Sequence, residues 1–253
     1  MSRTNDSGRR DFLKKAAAAT TVTVAPGVVL HSLTAQAEPR TTPVTDKVRW
    51  GMLIDTSKCA EGCTDCVEAC DRENGIDLVN KPEGADDALW ERQRPHWIRQ
   101  VKLKDNMTGR ITVLPMMCQH CEFPPCVDVC PTGASFKRAD GIVMVDRHIC
   151  IGCRYCMMAC PYKARSFIHA DVAEKLTHAP RGKGCVEACN LCVHRLDNGQ
   201  TTTACQEACK QQAIVFGDLN DPESPVSKAL KQYPSVQIRD DLKLNTGVRY
   251  TNI

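Results

Sequence analysis

Cys150, Cys153, Cys156 and Cys160 stand in the run C-I-G-C-R-Y-C-M-M-A-C-P, and no other feature restricts the fold of this chain so tightly. Three thiols crowd one short loop. A fourth follows after three intervening residues, directly ahead of a proline. This is the C-x2-C-x2-C-x3-C-P pattern that binds a cubane 4Fe–4S cluster, the fourth cysteine going to a neighbouring cluster. One such run makes a small ferredoxin; several make a relay of clusters, and a relay moves electrons.

The theme recurs. Cys59, Cys63, Cys66 and Cys70 form a first group (C-A-E-G-C-T-D-C-V-E-A-C). Cys118, Cys121, Cys126 and Cys130 form a second (C-Q-H-C-E-F-P-P-C-V-D-V-C-P), and the run quoted above is the third. Cys189, Cys192, Cys205 and Cys209 form a looser fourth. Four groups of four account for all but one of the 17 cysteines, so four 4Fe–4S clusters are expected. The three-plus-one spacing predicts an exchange of ligands between groups. Cys118, Cys121 and Cys126 then share a cluster with Cys160, and Cys150, Cys153 and Cys156 share one with Cys130. Groups one and four pair around them: Cys59, Cys63 and Cys66 with Cys209, and Cys189, Cys192 and Cys205 with Cys70. Cys185 is left with two readings, a free thiol or an alternative to Cys189, since C-x3-C spacing joins the two.

Short elements connect the groups. Trp50–Ile54 and Ala213–Phe216 read as strands. Residues 97–103 and 110–114 read as a hairpin around D-N-M-T-G, and Asp140-Gly141 as the turn of another. Short helices are expected after the fourth cysteine of each run. Residues 77–96 read as an irregular insertion, Ser224–Gln232 as a surface helix with Pro225 in its first turn, and 235–253 as a polar tail. The fold class is α+β: two ferredoxin-like lobes, residues 116–172 inserted within an outer lobe of 47–115 plus 173–220, with 221–253 as a C-terminal helix and tail.

Charge and composition exclude other classes. Residues 1–37 carry five basic and two acidic residues and hold the whole net charge of +3; the remainder has 28 of each sign. That leaves no basic field for nucleic acid. The segment S-G-R-R-D-F-L-K at Ser7–Lys14 matches a twin-arginine export signal, followed by an uncharged stretch and an A-Q-A cleavage site at Ala35–Ala37. A periplasmic location follows, with membrane association through partner subunits. No later run reaches the roughly 18 apolar residues of a membrane span. Disulfides fit poorly, because the count is odd and cysteines two residues apart have the wrong geometry. Zinc also takes four thiolates, but seldom needs the third close cysteine or the proline after the fourth. No C-x-x-C-H haem motif occurs. His120 and His148 flank ligand positions and read as packing around the site rather than as ligands. No nucleophile–base pair or phosphate loop is present, so catalytic residues are expected to be none.

With these runs in view, residues Trp50–Phe216 resemble the four-cluster, ferredoxin-like electron-transfer subunits of membrane-linked oxidoreductases. These serve dimethyl-sulfoxide-reductase-type molybdenum enzymes, one class of hydrogenase and periplasmic nitrite reduction. The likeness is carried by C-V-D-V-C-P-T-G-A from Cys126, C-M-M-A-C-P-Y-K-A-R from Cys156 and F-G-D-L-N-D-P from Phe216. Within the family the chain most resembles the exported iron–sulfur subunits linked to dissimilatory sulfite reductase. That resemblance implies a polytopic quinone-interacting membrane subunit, a multihaem cytochrome c and other subunits of a membrane redox complex as partners, and a role in sulfur metabolism. Three departures stand out: the extra residue between Cys59 and Cys63, Lys210 where a proline is usual, and Cys185. Two other functions compete: a relay for a molybdenum oxidoreductase or hydrogenase, and a zinc-stabilised binding module.

Overall fold

The run Trp50–Asp55 is apolar on both faces, and such a strand must be covered on both sides. In the computed structural model it is the middle strand of a three-stranded sheet. Ile214–Asp218 pairs with it antiparallel, Phe216 opposite Met52, and Val248–Thr251 pairs with it parallel, Tyr250 opposite Ile54. The structure describes residues 43–253 and the backbone of Thr21–Ala25 and Val28–His31, which form a short antiparallel hairpin. The rest of the expected export signal lies outside the described residues.

The C-terminal strand depends on glycine. A Cβ added to Gly51 would lie 2.4 Å from the Gly247 carbonyl oxygen and 2.5 Å from Leu219 Cδ1. The tail that reads as polar is therefore a core strand, with Val248 and Tyr250 both fully buried. It also braces the second cysteine group. Gly247 N donates to Gln119 O at 2.9 Å, and Glu122 N donates to Leu244 O at 3.0 Å.

The expected hairpins form. Arg99–Lys104 pairs with Ile111–Met116, and Ser135–Lys137 with Val143–Val145 around Asp140 and Gly141. The helix Pro225–Gln232 begins after Ser224, whose Oγ accepts from Ser227 N at 3.2 Å, and buries Val226.

Two expectations need correction. The stretch 77–96 contains a helix, Asp87–Gln93, capped by Asp86 and docked through Trp90 against Val79, Ile168, Ala170 and Val172. The short helices also lie between the third and fourth cysteines rather than after the fourth. Pro125–Asp128 carries Cys126, Tyr155–Ala159 carries Cys156, and Ala204–Ala208 carries Cys205. The x3 spacing is itself one helical turn. In the first group the helix Asp65–Asn74 holds Cys66 and Cys70 and runs on to Gly75, which closes it in the left-handed conformation.

The main buried core contains eight cysteines beside Met52, Ile54, Trp97, Leu114, Phe216 and Tyr250. Cys118 and Cys189, from either side of the expected lobe boundary, belong to that same core. Among the described residues no helix is long and apolar enough to cross a membrane.

Candidate metal centres

Protein interiors are close-packed, so unfilled space ringed by thiols marks a place built for something else. Among the described residues four such cavities occur, each lined by four cysteines. Cavity I holds Cys59, Cys63, Cys66 and Cys209, and cavity II holds Cys70, Cys189, Cys192 and Cys205. Cavity III holds Cys118, Cys121, Cys126 and Cys160, and cavity IV holds Cys130, Cys150, Cys153 and Cys156. In each, three cysteines come from one group and the fourth from its partner group. All 17 thiols are free of disulfides.

One local device recurs in all four loops. The residue before the second cysteine has a left-handed backbone: Gly62 (φ +82°), His120 (+44°), Gly152 (+69°) and Leu191 (+54°). This turn directs successive N–H groups into a concavity suited to negative charge. Leu191 and His120 adopt it without glycine, a strain that persists where the surroundings enforce it. Gly62 explains the odd first loop: despite its extra residue, it makes the same turn before Cys63. Further N–H groups reach sulfur directly. Ser135 N lies 3.3 Å from Cys130 Sγ, Ala213 N 3.2 Å from Cys209 Sγ, and Asn74 Nδ2 3.6 Å from Cys70 Sγ.

The cavities form a series. Charge on Cys205 is felt at Cys66, linking I to II; Cys118 acts on Cys189, linking II to III; Cys126 acts on Cys156, linking III to IV. Burial follows that order. Every cysteine of II and III is buried, whereas the four of I are half-buried and Cys153 of IV is exposed.

Burial pushes Cys59 up to about 11 and Cys66, Cys118, Cys121 and Cys192 up to about 12; Cys70 and Cys189 are also held well above the ordinary thiol range. Repulsion within a set adds to this at Cys59, Cys66, Cys70 and Cys121. Such thiols ionise at neutral pH when a cation replaces the proton. Four thiols around a void, with N–H groups directed at them, fit an iron–sulfur cluster on donor chemistry.

The remaining candidates fall elsewhere. His120 is buried, and Nδ1 accepts from Val143 N at 3.1 Å. Burial holds its pKa down to about 3, so the ring is neutral and serves as a brace for the loop. His148 is exposed. Cys185 lies beside Cys150, not in the cavity of Cys189, and its thiol donates to Arg147 O at 3.3 Å. The reason is the pairing of Val186–Glu187 with Ser166–Phe167, which carries the preceding residue toward cavity IV. Glu73, His178 and His194 also converge. Arg195 engages both Glu73 oxygens at 2.6 and 2.7 Å, which makes the trio part of an ion pair.

Gly152 offers a direct test of the loop geometry. A Cβ there would meet the Gly184 carbonyl oxygen at 2.2 Å in an already left-handed backbone, whereas a Cβ on Gly62 would meet nothing within 4 Å. Gly152→Ala is expected to lose about four irons per chain, one cluster's worth. Gly62→Ala is expected to keep its iron and lose about 1–2 kcal/mol of stability. Iron assay and anaerobic melting measure both; full iron in Gly152→Ala contradicts the expectation.

Comparison with known proteins points to the same cofactor. Two models described as 4Fe-4S dicluster domains match residues 58–134 and 110–219. The chain is 40% identical to the Hdr-like menaquinol oxidoreductase iron-sulfur subunit 1 of Archaeoglobus fulgidus, covering 83% of this chain and 86% of that one. It is 37% identical to a putative dimethyl sulfoxide reductase iron-sulfur subunit of Halobacterium salinarum, over 80% of this chain and 79% of that one. It is 39% identical to protein NrfC of Escherichia coli, over 76% and 75%.

Proposed function

We infer the function from one premise: the chain belongs to the 4Fe-4S dicluster family of oxidoreductase iron–sulfur subunits. It is an electron-transfer subunit with four 4Fe–4S clusters as cofactors, and substrate chemistry belongs to other subunits. When bound, the clusters supply reversible one-electron oxidation and reduction. The chain supplies position, hydrogen bonds to sulfur and burial.

In this proposal the four cavity sets are the four ligand sets. The sixteen thiols ionise toward iron, and the left-handed turns hold N–H groups toward the sulfurs. The observation that carries the reading is the burial series. Buried sets II and III keep water away, while the open sets I and IV leave room for donor and acceptor to approach. Cavities III and IV are lined almost wholly from residues 116–172 and cavities I and II almost wholly from the rest, which supports the nested two-lobe division.

We propose further that residues 1–37 direct export by the twin-arginine route and that the mature protein works in the periplasm. Its partners are a polytopic quinone-interacting membrane subunit and a multihaem cytochrome c of a dissimilatory sulfur-metabolism complex, as the resemblance to the exported subunits linked to dissimilatory sulfite reductase implies. Likeness to a menaquinol oxidoreductase subunit supports the quinone-linked partner. Likeness to a dimethyl sulfoxide reductase subunit favours a second reading, a relay for a molybdenum enzyme.

Anaerobically isolated protein is expected to contain about 16 irons with matching acid-labile sulfide and to absorb in the visible. Stoichiometric zinc without iron overturns the relay in favour of the binding module. Co-purification from membranes separates the two partner readings: a multihaem cytochrome supports the first, a molybdenum subunit the second.

A further inference from the structure

Arg165 ends the motif C-P-Y-K-A-R and is 5% exposed. A buried guanidinium without a counter-charge is costly by several kcal/mol. Its closest partner is a sulfur: Nη2 lies 3.0 Å from Cys126 Sγ, and Cys156 is near enough for charge on its sulfur to act on the guanidinium. Among the described residues no carboxylate pairs with it, and Nη1 is buried without a partner. Cys126 belongs to cavity III and Cys156 to cavity IV. A single cation therefore stands between two thiol sets, touching one and reaching the other.

From this geometry we propose that Arg165 is a positioning residue shared by two adjacent centres, hydrogen-bonded to a ligand sulfur of cavity III and standing beside cavity IV, and that it raises the reduction potential of both. The proposal rests on the ligand assignment above. The physical argument concerns charge. A reduced centre carries one more negative charge than an oxidised one, so a fixed cation beside it favours the reduced state. Burial strengthens the effect, because little water is present to screen it. Hydrogen bonds to ligand sulfur act in the same direction. An arginine fork suits the task, since its rigid N–H array can serve two acceptors at once. A lysine offers one atom and would favour a single sulfur. Among the described residues no such cation lines both cavities I and II: Lys58 lines cavity I alone, and Lys58, Lys210 and Arg195 pair with carboxylates. The potentials of the inner-to-outer pair III and IV are thus set apart from those of I and II.

The test is redox-titrated electron paramagnetic resonance on anaerobically isolated full-length protein, wild type against Arg165→Gln, with iron assayed on the same samples. In Arg165→Gln two of the four centres are expected to lose at least tenfold in reduction equilibrium constant, about 59 mV for a one-electron couple, while the other two hold. Four unmoved potentials in an iron-replete variant overturn the proposal. Should the variant fail to take up iron, wild-type protein labelled with nitrogen-15 in arginine alone decides the matter. Pulsed resonance is expected to detect arginine nitrogen coupled to two reduced centres, and absence of that coupling overturns the proposal. The two failures are separable. Wild-type protein without iron removes the relay reading and this inference together; iron-replete wild type without the coupling removes this inference alone.

Discussion

Stripped of iron under anaerobic conditions, the chain is expected to lose its cooperative unfolding transition. Eight of the buried core residues are cysteines that line the cavities, and Cys59, Cys66, Cys150 and Cys209 pack against the same core. Without the clusters these thiols surround four unfilled spaces and pack against nothing there. Little else compensates. The strands are two to six residues long, and three of the four helices that carry ligands span five residues or fewer. Isolated elements of that size are not stable in water. Binding free energy is then folding free energy, as in other metal-organised domains. The measurement is anaerobic thermal melting followed by circular dichroism, before and after stripping and again after reconstitution. The expected sequence is a cooperative melt, a broad non-cooperative slope, and a restored melt. Iron-free protein that melts cooperatively at the original temperature would show that the apolar packing alone suffices.

The second large effect is expected at Tyr250, three residues from the C-terminus. Its ring is fully buried, and its hydroxyl donates to Pro115 O at 3.0 Å while accepting from Gln119 Nε2 at 3.1 Å. These contacts join the last strand to the segment leading into Cys118 and Cys121. Tyr250→Ala is expected to destabilise the loaded protein by about 3–5 kcal/mol, as for other buried aromatic truncations. Tyr250→Phe keeps the packing and loses the hydroxyl bonds, for about 0.5–1.5 kcal/mol. Deletion of residues 244–253 removes the whole strand and is expected to yield protein that does not accumulate iron. Denaturant titration of the two variants checks the first pair of values. A deletion protein with full iron would show that the tail is an ornament on the sheet.

These expectations differ in how far sequence alone could reach them. Cysteine spacing is dense information, because a ligand has few ways to return to the same metal through two or three residues. The four groups, and which of their cysteines line a common cavity, were legible for that reason, and the hairpins were legible from alternation and turn residues. The tail was not. Residues 235–253 carry charged and polar side chains at most positions, and the alternation of Val248 and Tyr250 spans too few residues to stand out. The helix Asp87–Gln93 was missed because its apolar contact rests mainly on Trp90. The left-handed turns at His120 and Leu191 were invisible, since neither residue type announces that conformation; Gly62 and Gly152 at equivalent places were the available signal.

What the amino-acid order by itself determined is which thiols group in fours and how many clusters such groups can hold, because coordination geometry is local and short spacers leave it little freedom. What only the tertiary structure decided is which sets are buried, which open to the surface, where Cys185 lies, and that Arg165 stands between two of them. Those properties depend on segments tens to more than a hundred residues apart, brought together by a sheet whose last strand is the end of the chain.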